Sequence, residues 1–182
     1  MTIVAEPSST NDIFTIGHST HTFDDFVDLL RGAGVTAIVD VRRLPGSSRF
    51  PQFNEDALAA ELPERAIAYH RIAALGGRRG RQADVPAEEN AFWQNRSFHN
   101  YADYASTGAF RQGLDELLAM AQHEHLAVMC SEAVWWRCHR RIIADHLLAH
   151  GATVRHIMPG GKIRSAELTP GAVIRDGTVE YP

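Results

Sequence analysis

The segment Leu126-Ala-Val-Met-Cys-Ser-Glu132, which continues to Trp135-Trp-Arg-Cys-His-Arg-Arg141, decides the fold of this chain. Its apolar first half is typical of a buried strand, and helical spacing follows in Ile142, Ile143, Leu147 and Leu148. The segment predicts a strand, a tight turn and a helix, with Glu132 at the start of the helix. In an open α/β sheet, ligands bind at the turn that follows the carboxyl end of a strand.

The rest of the chain repeats this alternation of strand and helix. Apolar runs predict further strands at Ile13–Ile16, Val35–Val41, Ala66–Ile72 and Thr153–Ile157. A hairpin with its turn at Asp176-Gly177 is predicted near the carboxyl terminus. We predict a single α/β domain over residues 12–182, with a mostly parallel sheet of about five strands, flanking helices and an irregular central insertion. Residues 1–11 are predicted to be a disordered tail.

The composition is that of an ordinary globular domain, with 182 residues of which 45% are hydrophobic and 22% charged. No apolar run approaches the roughly 20 residues that span a bilayer. The first residues lack the basic and apolar regions of a signal peptide. The two cysteines, Cys130 and Cys138, are too close in sequence to staple a fold. A reducing cytoplasm is the expected location.

The arginines are clustered, although the net charge of −4 argues against a protein that coats nucleic acid generally. The clusters are Arg42, Arg43 and Arg49; Arg71, Arg78, Arg79 and Arg81; and Arg137, Arg140 and Arg141. Each cluster alone is typical of solvated surface. If the fold brings the clusters together, they would indicate a local anionic partner.

Polar residues follow each predicted strand, and the carboxyl ends of parallel strands lie along one edge of a sheet. These residues are His18 and Ser19, Asp40 and Arg42, Tyr69 and His70, Cys130 to Glu132, and His156. A structural role is open for most of them, because strand histidines are often half-buried and Cys130 can fill core space. For Glu132 a functional role is favoured, since its predicted position faces the ligand crevice.

Four motifs occur in order along the chain. They are Thr15-Ile-Gly-His-Ser19, Asp40-Val-Arg42 with Pro45 and Ser47, Leu75-Gly-Gly77, and Cys130-Ser-Glu132 with Cys138-His-Arg140. In this combination the chain, from Ile13 to Ile157, resembles the family catalogued as domain of unknown function 488. The family label names no activity. The resemblance implies a relation to proteins that excise modified pyrimidines, such as 5-hydroxymethyl bases, from DNA.

Thiol and metal chemistry fit the residues less well. The spacing between Cys130 and Arg137 is longer than cysteine phosphatases use, and Glu132 would repel a phosphate. Cys138 and His139 are adjacent and would point about 100° apart on a helix. The zinc deaminase pattern is missing from the sequence. No metal and no cofactor is therefore expected.

Base excision fits the residues best. Breaking an N-glycosidic bond builds positive charge on the sugar, and Glu132 and Asp40 are the candidate catalytic carboxylates. The candidates for contacts with the base are His18, Ser19, Arg42, Tyr69, Cys130, Ser131, Trp135, Trp136 and Arg140. The candidates for contacts with phosphates are Arg43, Arg49, Arg78, Arg79 and Arg81. Because Lys162 is the only lysine, a Schiff-base lyase is disfavoured and simple hydrolysis is expected.

The predicted function is a monofunctional DNA glycosylase that acts on a modified pyrimidine. We expect Glu132 to be the principal catalytic group, because a helix start would keep its carboxylate ionised. Asp40 is expected to position water, the sugar or Arg42. A non-catalytic nucleic-acid-binding domain and a nucleoside N-ribohydrolase are the open alternatives, so the expected partner is DNA, RNA or a nucleoside.

Overall fold

The computed structural model describes residues 12–182, and the tail predicted for residues 1–11 lies outside the described residues. The main sheet contains β1 (Ile13–Gly17), β2 (Ala37–Asp40), β3 (Ala68–Arg71), β4 (Leu126–Cys130), β5 (Val154–Ile157) and β6 (Ile163–Ser165). The strand order is β3-β2-β4-β1-β5-β6. Strands β1 to β5 run parallel, and β6 pairs antiparallel with β5. The predicted α/β domain with a mostly parallel sheet is confirmed.

The helices of the described chain cover both faces of this sheet. They are α1 (Phe23–Gly32), α2 (Glu55–Glu64), α3 (Arg96–Tyr104), α4 (Gly108–Met120) and α5 (Arg140–Ala149). One apolar cluster packs α1 and α2 against the sheet, and the other packs α3, α4 and α5 against it. Burial on both faces accounts for the nearly continuous apolar runs of β2 and β4. Within residues 12–182, no helix is long and apolar enough to cross a bilayer.

The starts of α1 and α5 both bear on the site. Thr22 precedes α1, and its hydroxyl accepts a hydrogen bond from the backbone N–H of Asp25 at 3.1 Å. The helix predicted to begin at Glu132 begins instead at Arg140, after a 3-10 turn at Trp135–Arg137. The prediction that Glu132 lies at a helix start is therefore wrong.

A crevice opens where the helices that follow neighbouring strands pack on opposite faces of the sheet. Helices α1 and α2 follow β1 and β2 on one face, whereas α5 follows β4 on the other. Because β4 lies between β1 and β2, the connections diverge at its carboxyl end. In α/β sheets this point is the usual ligand site. The residues Cys130, Ser131 and Glu132 lie there.

The central insertion and the carboxyl-terminal hairpin complete the domain. The described chain has neither helix nor strand between Leu75 and Arg96, as predicted for the insertion. The hydroxyl groups of Tyr101 and Tyr104 on α3 donate to carbonyl oxygens at the start of the insertion, each at 2.7 Å. The predicted hairpin is confirmed as β7 (Val173–Arg175) and β8 (Thr178–Glu180).

Candidate active site

A cavity of about 690 Å³ lies at the carboxyl ends of β1, β2 and β4. This volume is typical of small-molecule pockets. The cavity is lined by the arginines Arg42, Arg43, Arg78 and Arg137 and by the rings of Phe50, Phe98 and Tyr101. Among the described lining residues, Glu132 is the only acid. The cavity therefore combines one carboxylate with an electropositive wall.

The loops after β1 and β4 approach each other so closely that the backbone of the site is fixed. The N–H of His18 donates to the carbonyl oxygen of Cys130 at 2.9 Å, which extends the strand pairing beyond β1. A Cβ atom on Gly17 would overlap the carbonyl oxygen of Glu132. Only glycine allows this approach, so Gly17 determines where the backbone of Glu132 lies.

Asp40, predicted as a second catalytic carboxylate, is fully buried and lies outside the cavity lining. One of its oxygens accepts hydrogen bonds from the backbone N–H and Nε of Arg42 at 3.0 and 2.9 Å. The other accepts from Nη2 of Arg42 at 2.7 Å and from the hydroxyl of Tyr69 at 2.6 Å. With both oxygens engaged, Asp40 orients Arg42, which is one of the three roles predicted for it.

Arg42 faces the cavity with most of its donors already engaged. Its Nη2 also donates to the carbonyl of Phe53 at 2.7 Å, and its Nη1 lies 3.4 Å from Nε2 of His18. Burial lowers the pKa of His18 to about 4, and the Nδ1 of His18 donates to its neighbour's carbonyl at 2.9 Å, so Nε2 is an acceptor. A guanidinium has about five N–H donors, and the bonds to Asp40, Phe53 and His18 leave one Nη1 donor for a ligand.

Glu132 differs from Asp40 in that its carboxylate is free. Its backbone carbonyl accepts a hydrogen bond from Nη2 of Arg140 at 2.7 Å, which anchors the loop. The residue itself is exposed, and within residues 12–182 no hydrogen bond or ion pair engages its carboxylate. The side chain can approach a molecule in the cavity without first breaking a contact in the protein.

Cys130 and Cys138 are free thiols that meet in the cavity wall, with their Sγ atoms 3.0 Å apart. The Nε and backbone N–H of Arg140 donate to Sγ of Cys138 at 3.2 and 3.4 Å. Burial opposes ionisation of Cys138, but the hydrogen bond from Cys130 and the charge of Arg140 outweigh burial and lower its pKa to about 6. Burial and the neighbouring Cys138 raise the pKa of Cys130. The charge of Arg140 and the contact between the two sulfurs therefore favour ionisation of Cys138 over that of Cys130.

His139, which precedes α5, is a neutral imidazole in the cavity wall. Its Nε2 donates to the carbonyl oxygen of Val41 at 2.7 Å, and burial lowers its pKa to about 4. Its Nδ1 is therefore an unprotonated acceptor. A Cβ atom on Gly77 would lie 2.8 Å from this Nδ1, so the second glycine of the Leu75-Gly-Gly77 motif makes room for the ring.

The sequence match to a known family covers most of the helices and strands that build this site, but not β1 or the loop that follows it. The family model described as "Domain of unknown function DUF488" matches residues 22–147, from the start of α1 into α5. The chain belongs to the DUF488 family. The resemblance predicted from the four motifs is thereby confirmed. No curated protein and no solved structure matched the chain.

In this DUF488 protein the cavity brings together about half of the predicted site residues. Those that line it are His18, Ser19, Arg42, Arg43, Arg78, Cys130, Ser131 and Glu132. Those outside its lining are Asp40, Arg49, Tyr69, Arg79, Arg81, Trp135, Trp136 and Arg140. Asp40, Tyr69 and Arg140 lie behind the wall, where they bond to lining residues or to each other.

The predicted tryptophans and Arg79 make contacts elsewhere in the DUF488 protein. The indole of Trp135 stacks on His156 with ring centroids 4.5 Å apart, and Trp136 packs edge-on against Trp135. Arg79 lies 4.0 Å above the ring of Tyr104, and it donates to two carbonyl oxygens of the insertion. These contacts hold the side chains away from the cavity.

Several lining residues of the DUF488 protein were absent from the predicted site, namely Phe98, Tyr101, Arg137, Cys138 and His139. Phe98 and Tyr101 are three residues apart on α3 and so share a face. Nothing in their spacing indicates that this face covers the sheet edge. For Cys138 and His139 a signal was present, because both belong to a motif that carried the family resemblance.

Proposed function

We propose that this DUF488 protein is a monofunctional DNA glycosylase that hydrolyses the N-glycosidic bond of a modified pyrimidine. One observation carries the proposal: a single exposed carboxylate, that of Glu132, lies in a cavity lined by arginines and aromatic rings. This set of groups suits a substrate that is anionic as a whole and becomes cationic at one carbon atom.

Glu132 has the chemistry that the sugar requires. As the glycosidic bond breaks, positive charge develops on the sugar, and a nearby carboxylate stabilises that charge and orients the attacking water. The arginines alone would oppose this charge. When Arg43, Arg78 and Arg137 bind the flanking phosphates, their charge is neutralised and the field of Glu132 acts on the sugar.

Arg42 has the chemistry that the departing base requires. A pyrimidine leaves with negative charge on its ring nitrogen and its exocyclic carbonyl oxygens, and a donor aimed at that charge favours departure. The remaining Nη1 donor of Arg42 is held at the cavity wall by Asp40. The rings of Phe50 and Phe98 offer stacking surfaces for an extruded base. Lys162 is not a lining residue, which favours hydrolysis to an abasic site over a lyase reaction.

Glu132→Gln tests this proposal. Duplexes that carry single damaged or hypermodified pyrimidines are incubated with the protein, and abasic sites are then cleaved with alkali. The variant should lower turnover by a factor of about 100 or more, because the lost interaction is made mainly in the transition state. Binding of the duplex should be nearly unchanged.

The matched control is Glu61→Gln, which removes the same charge from an exposed site on α2 near the end that leads into β3, at the opposite edge of the sheet. It should keep full activity. Equal activity of the two variants would exclude a carboxylate mechanism. Retention of duplexes by the wild type without any cleavage would instead favour a nucleic-acid-binding domain, and cleavage of free nucleosides alone would favour a nucleoside hydrolase.

The arginine wall makes a separate prediction about affinity. Arg78→Ala should weaken binding of every duplex sequence alike and reduce the dependence of binding on salt by about one phosphate contact. The control is Arg31→Ala, at the carboxyl end of α1 and the opposite edge of the sheet. It should leave both the affinity for duplexes and its dependence on salt unchanged. Loss confined to one sequence context would assign Arg78 to base contacts. We also propose a cytoplasmic location, where both free cysteines stay reduced.

A further inference from the structure

Cys130 and Cys138 form a second reactive feature of the cavity, beside the carboxylate of Glu132. Cys130 ends β4 and Cys138 precedes α5, so the exposed loop between them closes back on itself. Their Sγ atoms are 3.0 Å apart and both residues line the cavity. A disulfide has a sulfur–sulfur distance of about 2.05 Å, so about 1 Å of side-chain movement separates the two thiols from a bond.

Arg140 shows which of the two sulfurs carries negative charge. Its side chain is only 1% exposed, and a buried guanidinium needs an anionic partner. In the described part of the chain no carboxylate lies within ion-pair distance of Arg140. Its Nε and backbone N–H both donate to Sγ of Cys138, while its other donors reach a threonine hydroxyl and a carbonyl oxygen. The negative charge is therefore on Cys138.

Cys130 is placed to act after Cys138. Its Sγ contacts Sγ of Cys138 directly and otherwise lies near the carbonyl oxygen of Glu132 at 3.8 Å, so it is the thiol that donates to the thiolate. The two cysteines thus differ in the way that the attacking and resolving cysteines of a thiol–disulfide centre must differ. Buried cysteines are usually inert because nothing reaches them, but here the cavity gives a path from solvent.

We propose that Cys138 and Cys130 form a thiol–disulfide exchange centre in the cavity wall, with small disulfides as its substrates. The thiolate of Cys138 attacks one sulfur of the disulfide RSSR, forms a mixed disulfide Cys138–S–SR and releases RS⁻. Cys130 then attacks the Cys138 sulfur, expels the second RS⁻ and forms the Cys130–Cys138 disulfide. Its proton passes to a released thiolate. The protein thiolate and thiol together lose two electrons, and the disulfide gains them as it becomes one thiol and one thiolate, which takes its proton from water.

Arg140 also determines how readily the centre is reduced again. Formation of the disulfide removes the negative charge from Cys138 and leaves a buried guanidinium without its anion. A stabilised thiolate favours the reduced form, so the disulfide should be an oxidising one that small thiols reverse readily. This centre requires neither DNA nor the carboxylate of Glu132, and it is independent of the proposed glycosylase.

The wild-type protein supplies the first test. The reduced, folded protein is incubated near neutral pH with an excess of bis(2-hydroxyethyl) disulfide, a small probe, and its intact mass is followed over time. The mass should fall by that of two hydrogen atoms, peptide mapping should locate a Cys130–Cys138 link, and dithiothreitol should restore the original mass. If the folded protein keeps both thiols free under excess disulfide, the proposal is overturned.

Two matched variants then assign the roles. Cys130→Ser should accumulate a stable mixed disulfide on Cys138, because no second thiol resolves it. Cys138→Ser should leave Cys130 much less modified over the same period, because burial raises the pKa of its thiol. Faster modification of Cys130 than of Cys138 would overturn the assignment. Circular dichroism shows whether each variant is folded. If either variant is unfolded, the mass measurement on the wild-type protein alone decides whether the exchange centre exists.

Discussion

Arg42 and Arg140 are buried arginines behind the same cavity, with 8% and 1% of their surfaces exposed, and different anions neutralise them. Arg42 pairs with both oxygens of the Asp40 carboxylate, and Tyr69 adds a further hydrogen bond to that carboxylate. Arg140 donates from its side chain to the sulfur of Cys138, to the hydroxyl of Thr15 and to the carbonyl oxygen of Glu132. Both guanidinium groups sit at the carboxyl edge of the sheet, yet only one has a carboxylate.

The choice of anion decides what each pair can do. A buried carboxylate with every oxygen bonded gives fixed geometry, so the pair of Asp40 and Arg42 serves to hold a donor in place. A thiolate can be protonated near neutral pH and can be oxidised. The ion pair between Cys138 and Arg140 therefore exists only while Cys138 is deprotonated and reduced. The same edge of the sheet therefore combines one permanent ion pair with one that depends on pH and redox state.

The largest effect is expected for Asp40→Asn. This change leaves Arg42 buried without its anion, which should lower the free energy of unfolding by about 3–5 kcal/mol. Urea denaturation of wild type and variant measures the loss. An unchanged denaturation midpoint would show that solvent reaches Arg42 and that the ion pair is not structural.

The second prediction concerns the dependence of stability on pH. The folded pKa of Cys138 is lowered to about 6 from an ordinary value of 9.0, so between these values the unfolded chain binds a proton that the folded protein does not. Stability from Cys138 should rise through this window, by at most about 1.4 kcal/mol per pH unit. This contribution of Cys138 to the free energy of unfolding is fully present above pH 9 and absent below pH 6.

Cys138→Ser isolates this contribution. The stability difference between wild type and variant should grow as the pH rises from 6.5 to 8.5, and it should be smallest at the acid end. The buried histidines, among them His18 and His139, reduce stability mainly below pH 6.5, because their pKa values are lowered to about 4. A difference that does not change with pH would mean that Cys138 is a neutral thiol.

The smallest effect is expected for Tyr69→Phe. This change removes one hydrogen bond to Asp40 and leaves its three bonds from Arg42 in place. A hydrogen bond to a charged group contributes about 1.5–3 kcal/mol, and the cost should lie at the lower end because the carboxylate stays paired. Denaturation in urea measures it. A loss as large as that of Asp40→Asn would mean that Tyr69, rather than Arg42, holds the carboxylate.

The sheet and the edge that carries the cavity could be predicted from the sequence, because buried parallel strands give long apolar runs that are easy to recognise. The start of α5 could not. The apolar spacing after Arg141 shows that a helix exists but does not mark its first residue, and the 3-10 turn at Trp135–Arg137 takes up the intervening residues. For this reason the predicted helix start, Glu132, lies eight residues before the observed start, Arg140.

The partners of Asp40 and Arg140 were also beyond sequence reasoning. An aspartate two residues before an arginine, as in Asp40-Val-Arg42, suggests an ion pair but not that the pair is fully buried. Arg140 lies in a basic cluster that is normally exposed, and its burial follows from the three-dimensional meeting of β1, β4 and α5. The contact between Cys130 and Cys138 likewise depends on how the loop between them closes.

The bonds that hold Arg42 affect selectivity as well as stability. An arginine side chain loses up to about 2 kcal/mol of rotamer freedom when it is ordered, and Arg42 has lost this freedom on folding. Arg78 and Arg137 are exposed and must be ordered by each ligand that they bind. The cavity thus has one rigid contact and several adaptable ones. A ligand that fails to match the rigid donor gains little from rearrangement, so discrimination should be sharpest at Arg42 and most tolerant at Arg78 and Arg137.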